Sequence, residues 1–109
     1  MAMNDGYRAL EDLWGLVGRI PKGRCTSYGS LGRALRHPVS GYLVGRWMAQ
    51  CPEGLPWWRV VAKDGRLPIH KRDPRWADEQ RRLLESEGIR VADGNADIAA
   101  HGWDPADEV

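Results

Sequence analysis

Apolar residues recur at three- and four-residue steps along much of the chain, and each such stretch predicts a helix. Tyr7, Leu10, Leu13, Trp14 and Val17 share one face of a first helix from Asn4 to Gly18, with Asn4 or Asp5 as its cap. Pro21-Lys22-Gly23 supplies a turn. Thr26 or Ser27 caps a short second helix reaching about Leu35, along which Tyr28, Leu31 and Leu35 form an apolar stripe. His37-Pro38 breaks the chain, and Ser40 caps a third helix from Gly41 to about Gln50. Leu43, Val44, Trp47 and Met48 form the buried side of that helix. Tyr42, Gly45, Arg46 and Ala49 form a second, low face carrying one cation.

Two short helices joined by a tight break, the second with two distinct faces, match the outline of a helix-turn-helix. Arg59 to Ala62 reads as a strand, Lys63-Asp64-Gly65 as a turn, and Arg66 to Ile69 as a return strand held at an edge by Pro68. That hairpin would be a wing bearing Arg59, Lys63 and Arg66. Asp73 and Pro74 open a fourth helix to about Glu87, with Trp76, Leu83 and Leu84 as its apolar residues and Gly88 as its stop. The fold class expected is mainly α with a small β-hairpin, a winged-helix-like DNA-binding domain containing a helix-turn-helix. Residues 1–91 form this domain. Residues 92–109, rich in Asp, Ala and Gly, read as a mobile or loosely docked acidic tail in which Trp103 is the single aromatic.

With 109 residues the chain is expected to hold one core. It has no apolar run near the roughly 20 residues that span a bilayer and no apolar signal core, so a cytosolic protein is expected, associated with the nucleoid in a bacterium. Cys25 and Cys51 are too few and too isolated for a disulfide framework or a metal site; neither metal nor cofactor is expected. The formal charge of +1 hides an asymmetry: residues 1–91 hold all 16 Lys and Arg with 10 of the 15 acids. A basic body of this kind favours a polyanionic partner, although scattered arginines also make ordinary solvated faces.

The most unusual stretch is Pro56-Trp57-Trp58-Arg59-Val60-Val61. Neighbouring side chains of an extended segment point to opposite sides, so the two indoles are not expected to enter one core. One of them is left to face a cavity or groove.

Several segments, in order, carry a family resemblance: Ile20-Pro21-Lys22-Gly23-Arg24, Thr26-Ser27-Tyr28-Gly29, Val44-Gly45, the hexapeptide, Gly65-x-Leu67 and Leu83-Leu84-x-x-Glu87-Gly88. The series resembles the DNA-binding domain of O6-alkylguanine-DNA alkyltransferases. It departs from them at the hexapeptide, where that family has Pro-Cys-His-Arg-Val and this chain has Trp57 and Trp58. An indole offers neither a thiolate nor a basic nitrogen, so no nucleophile or general base remains there. Tryptophan at the acceptor position is the mark of the alkyltransferase-like proteins. That resemblance implies a non-enzymatic protein, expected as a monomer, that binds double-stranded DNA containing O6-alkylguanine and flips the damaged nucleotide into an aromatic pocket. It further implies that repair is left to nucleotide excision repair proteins.

Carried over position by position, the resemblance makes Tyr28 the residue that helps rotate the nucleotide outward, Trp57 the pocket wall and Arg72 a contact to the flipped base. Trp58 replaces a relay histidine, and Glu87 is expected to accept its indole N–H. The gap left in the base stack falls to Tyr42, which stands where the family has an arginine, or to Arg46 one turn later. Ser40 and Gly45 belong with them on the DNA-facing side. Arg59 matches an invariant arginine whose role is either a structural ion pair or a DNA contact. Tyr28 is equally readable as the first rung of its helix's apolar stripe. Two other readings stay open: a winged-helix DNA- or protein-binding module without lesion specificity, and a residual enzyme using Cys51 or Cys25.

Overall fold

A computed structural model describes residues 6–67 and 74–107. Helix α1 (Ala9–Arg19) leads through a turn to strand β1 (Thr26–Ser27), which runs directly into α2 (Tyr28–Ala34). A break precedes α3 (Gly41–Met48), and a long loop ends in a 3-10 turn, Trp57–Arg59, that feeds β2 (Val60–Val61). Helix α4 (Pro74–Ser86) follows, then β3 (Val91–Ala92), β4 (Asn95–Ala96), α5 (Ile98–His101) and a 3-10 turn at Pro105–Asp107. The architecture is mainly helical, as the hydrophobic pattern predicts, with two small sheets in place of the single hairpin expected. No helix among the described residues is long and apolar enough to cross a membrane.

The middle of the molecule is β2. It pairs in parallel with β1, Thr26 opposite Val60 and Ser27 opposite Val61. Successive strand residues face opposite ways, so its two fully buried valines serve different cores. Val60 joins Leu13, Leu16, Val17, Leu31, Val44 and Met48 beneath α1, α2 and α3; Val61 joins Cys25, Leu84, Ile89, Val91 and Ala96. Each large aliphatic side chain so buried contributes roughly 1.5–3 kcal/mol. Buried Gln80 fixes β2 from α4, its Nε2 donating to the carbonyls of Trp58 and Val60 at 3.1 Å each.

The helix-turn-helix is closed by caps and by a close approach. Ser27 Oγ accepts from the Ser30 amide at 3.1 Å and Ser40 Oγ from the Leu43 amide at 3.2 Å, satisfying amides that have no partner inside either helix. Between them the Val39 amide donates to the Gly32 carbonyl at 3.1 Å. A Cβ at Gly32 would collide with the Val39 carbonyl oxygen.

Several expectations need correction. Helix α1 starts at Ala9 rather than Asn4; Gly6 has φ +85°, and Tyr7 turns away to donate its hydroxyl to Asp12 at 2.9 Å. The expected Asn4 or Asp5 cap lies outside the described residues. The strand of the wing is only Val60–Val61 and finds its partner in β1, because the extended residues before α2 offer a ladder inside the core. The turn itself is held by the Ala62 amide on the Arg66 carbonyl at 2.9 Å, and residues 68 and 69 of the expected return strand lie outside the described residues. The Asp73 cap of α4 lies outside them too. Along α4, Leu84 is buried as expected, but Trp76 is 43 % exposed, and Gln80 takes a core position.

The expectation of a mobile or loosely docked tail is overturned. The expected boundary at residues 91 and 92 falls inside β3, which pairs antiparallel with β4, and Val91 and Ala96 are buried in the second core. The Cys25 amide donates to the His101 carbonyl at 2.9 Å, and the Trp103 amide to the Cys25 carbonyl at 2.8 Å. Main-chain bonding holds this segment, so its polar composition did not reveal it.

Replacing Gly32 by Ala should destabilise the fold by about 1–3 kcal/mol, because the α2–α3 crossing cannot admit a methyl group without moving Val39. Chemical denaturation of the two proteins measures the difference.

Candidate functional site

The hexapeptide forms the site through a local contradiction. Pro56 leads into the 3-10 turn that holds both Trp57 and Trp58 at the entrance to β2, so the turn and not the strand sets the directions of the two indoles. Trp57 packs against the first core and Trp58 against the second. The two rings meet edge to face, 6.1 Å between centroids and 88° between planes. Trp76 extends the series from α4, its ring 5.6 Å from Trp57 and again edge to face at 87°. Such geometry suits the aromatic quadrupole and gives the wall more rigidity than a loose cluster would have.

Behind the indoles lies one carboxylate with four donors. Glu87 accepts from Arg59 Nε at 2.9 Å and Nη2 at 2.5 Å, from Trp58 Nε1 at 3.1 Å and from the Gly23 amide at 3.2 Å. The remaining guanidinium nitrogen of Arg59 donates to the Ile20 carbonyl at 2.8 Å. Burial alone would raise the Glu87 pKa; the hydrogen bonds from Arg59, Gly23 and Trp58, with the arginine's charge, outweigh it and hold the carboxyl below its ordinary value. The expected Trp58–Glu87 bond is therefore present. Of the two roles open for Arg59, the structure displays the structural one: its side chain is 14 % exposed, 7 % for its partner, and it also lies 5.3 Å over the Trp58 ring.

Tyr28 stands at the start of α2, half-buried on the first core, with the ring over Gly45. The reading of Tyr28 as the first rung of the apolar stripe describes this placement. Burial pushes its phenol well above the ordinary range, partly offset by the positive charge of Arg66. The phenol stays protonated at neutral pH and can donate. Tyr42 is 76 % exposed at the start of α3, and Arg46 is exposed one turn later. Ser40 is engaged as the α3 cap, and Gly45 lies under the Tyr28 ring. The structure brings Trp57, Trp58, Trp76 and Tyr28 around the two sides of β2 and places Tyr42 and Arg46 on one outward face; Arg72 lies outside the described residues.

Three features of the surroundings bear on chemistry. Cys25 is fully buried, and its thiol is pushed up to about 11 by burial and by Asp97, so it is no nucleophile at neutral pH. Cys51 is half-buried against the first core. No group of three His, Cys, Asp or Glu among the described residues could hold a metal ion. An open cleft of about 280 Å³ lies on the far side of β1, lined by Cys25, Thr26, Ser27, Ser30, Trp103 and Asp104 among others. Neither Tyr28 nor Trp57 lines it, so it is separate from the aromatic site. Sequence reasoning missed Gln80 and Trp76. The only signal for Trp76 was its place in the first turn of α4, four positions after Arg72 in the sequence.

Residues 9–89 match the family model described as the 6-O-methylguanine DNA methyltransferase DNA-binding domain. A Vibrio parahaemolyticus protein named DNA base-flipping protein is 32% identical over 99 residues, covering 88% of this chain and 96% of that one. The fold is similar to Schizosaccharomyces pombe Atl1, solved in complex with damaged DNA containing O6-carboxymethylguanine: TM-score 0.74, 25% identity, 86% of this chain and 93% of that one. It is also similar to Mycobacterium tuberculosis OGT, with TM-score 0.66, 26% identity and coverage of 81% of this chain and 53% of that one.

The carboxylate network predicts an acid-sensitive fold. A carboxyl held below its ordinary value in the folded state stabilises fully above its unfolded pKa, about 4.3, and that contribution is lost as pH falls through the lower folded value. Glu87→Gln, which leaves the Arg59 charge uncompensated, should cost about 3–5 kcal/mol at neutral pH and flatten the acid limb of the stability profile. Denaturant titrations from neutral to acid pH on both proteins check this.

Proposed function

Because the chain belongs to the family of the 6-O-methylguanine DNA methyltransferase DNA-binding domain, in its alkyltransferase-like form, we propose that it recognises O6-alkylguanine in duplex DNA by base flipping, without catalysis. The observation that carries this reading is the Trp57–Trp58–Glu87 arrangement. The positions that would have to attack or relay a proton hold indoles, and the carboxylate behind them is ionised and already satisfied by Arg59, Trp58 and Gly23. Such a site has nothing to transfer an alkyl group to. It retains an apolar aromatic wall, which is what an extrahelical base carrying an extra alkyl group needs.

In this reading α3 enters the groove with Tyr42 and Arg46 outward. Tyr28 rotates the target nucleotide, Trp57 forms the pocket wall, and Arg72 contacts the flipped base through its charge. Tyr42 or Arg46 fills the vacated stack. Ser40, the α3 cap, and Gly45 belong to the DNA-facing side with them. The protein acts as a monomer, and the bound lesion is handed to nucleotide excision repair proteins. A helix-turn-helix module without lesion specificity is the competing reading, favoured by the same exposed α3 face.

Titration of two duplexes differing only in one guanine or O6-methylguanine separates them. Tighter binding of the alkylated duplex is expected; equal affinity would promote the competing reading. Tyr28→Ala should reduce the preference while leaving binding to the undamaged duplex close to wild type. Arg46→Ala should weaken both duplexes alike and lower the salt slope by about one. Mass spectrometry after incubation with alkylated DNA should find no alkyl group on either cysteine.

A further inference from the structure

The wing turn is too small to hold its own shape. Inside it are the Ala62 amide on the Arg66 carbonyl at 2.9 Å, the Gly65 amide on the Ala62 carbonyl at 2.8 Å, and the Arg66 amide on Asp64 Oδ1 at 3.0 Å. A ribbon of this size is marginal in water without support from elsewhere. The C-terminal segment supplies that support. The Ala96 amide donates to the Gly65 carbonyl at 2.7 Å, the Leu67 amide to the Gly94 carbonyl at 3.2 Å, and Asn95 Nδ2 to the Asp64 carbonyl at 3.4 Å. Arg66 and Asn95 thereby form an antiparallel bridge.

The fit is close enough to dictate sequence. Gly65 has φ +91°, and a Cβ there would collide with the Ala96 carbonyl oxygen. At its other end the same segment clasps Cys25, on both its amide and its carbonyl, three positions before Tyr28. Val91, just before the first of these holds, and Ala96, within it, are sunk in the second core. The segment therefore ties the strand that leads into α2 to the turn that carries the exposed cations Lys63 and Arg66.

We propose that residues 94–96 are a positioning brace for the wing turn, which holds the exposed Arg66 where its guanidinium meets the phosphate backbone of bound DNA. This rests on the DNA-binding reading above. The acidic segment then acts through geometry, and Gly65 and Asn95 are positioning residues whose effect on binding runs through Arg66.

The full chain and its Gly65→Ala, Asn95→Ala and Arg66→Ala variants, with both double variants containing Arg66→Ala, are titrated with the guanine and O6-methylguanine duplexes between roughly 50 and 200 mM salt. Arg66→Ala should lower the salt slope by about one. Gly65→Ala should lower it by a similar amount, Asn95→Ala by less, and neither should weaken binding further once Arg66 is gone. Circular dichroism establishes which variants fold; if Gly65→Ala does not, Asn95→Ala decides, being exposed and outside the core. A folded brace variant with the wild-type slope overturns the proposal, as do losses that multiply with that of Arg66→Ala, or an Arg66→Ala protein that binds normally. Equal wild-type affinity for the two duplexes would remove lesion recognition while leaving the slope comparison intact. A wild type that binds neither duplex would end both.

Discussion

The carboxylate of Glu87 is the constraint on which the other parts depend. It sits just beyond the end of α4 and gathers donors from the turn after α1, through Gly23, and from the hexapeptide, through Trp58 and Arg59. Arg59 carries the connection on to the Ile20 carbonyl, at the C-terminal end of α1. A buried charge with one missing partner is expensive, so these segments have one acceptable mutual arrangement. The 3-10 turn is thereby fixed before β2 begins, and β2 separates the two cores.

From that fixed turn the placement of the indoles follows. Trp58 must face Glu87 to deliver its N–H, which commits it to the side of the second core. Trp57, one residue earlier, is left to the other side, against the first core, with Trp76 across its edge. The same bond that satisfies the carboxylate therefore orients the aromatic wall. A histidine at 58 could make a similar bond and also carry a proton; an indole keeps the orienting function and gives up the proton transfer.

What the sequence made legible was local. Ser27 and Ser40 were readable as caps because a cap acts within three residues, and the buried face of α3 was readable from its period, whereas on α1 the period found Leu13 and Val17 but took exposed Leu10 for core and passed over buried Leu16. The two indoles do pack on different cores, but not for the reason the sequence offered: they sit in a 3-10 turn and not in the extended segment expected. The β1–β2 pairing was not, since two-residue strands far apart in the chain leave no periodic signal. Gln80 was invisible for a different reason: a polar residue on a charge-rich helix reads as surface, and only the carbonyls of Trp58 and Val60 make its burial favourable. The C-terminal segment misled because disorder is inferred from composition, whereas its order comes from main-chain bonds to Cys25 and Gly65 and from the small buried Ala96. The Trp58–Glu87 bond was anticipated through the family resemblance, and spacing alone would not have supplied it.

Two glycines show how the fold converts local tightness into a binding surface. At Gly32 the backbone of the α2–α3 break lies where a side chain would be, so α3 is pressed against α2 and its Tyr42–Arg46 face points away from the core. At Gly65 the backbone of the C-terminal segment does the same to the wing turn. Both contacts exclude a methyl group and both lie behind a cationic or aromatic surface rather than on it. The charge asymmetry of the chain takes on a different meaning in this light. Asp93, Asp97 and Asp104 belong to a segment bonded into the body, and that segment is bonded to the turn on which Lys63 and Arg66 are exposed. Had it been a free screen, high salt would have released it and opposed the usual loss of DNA affinity; as a bonded brace it leaves the phosphate contacts to respond to salt on their own.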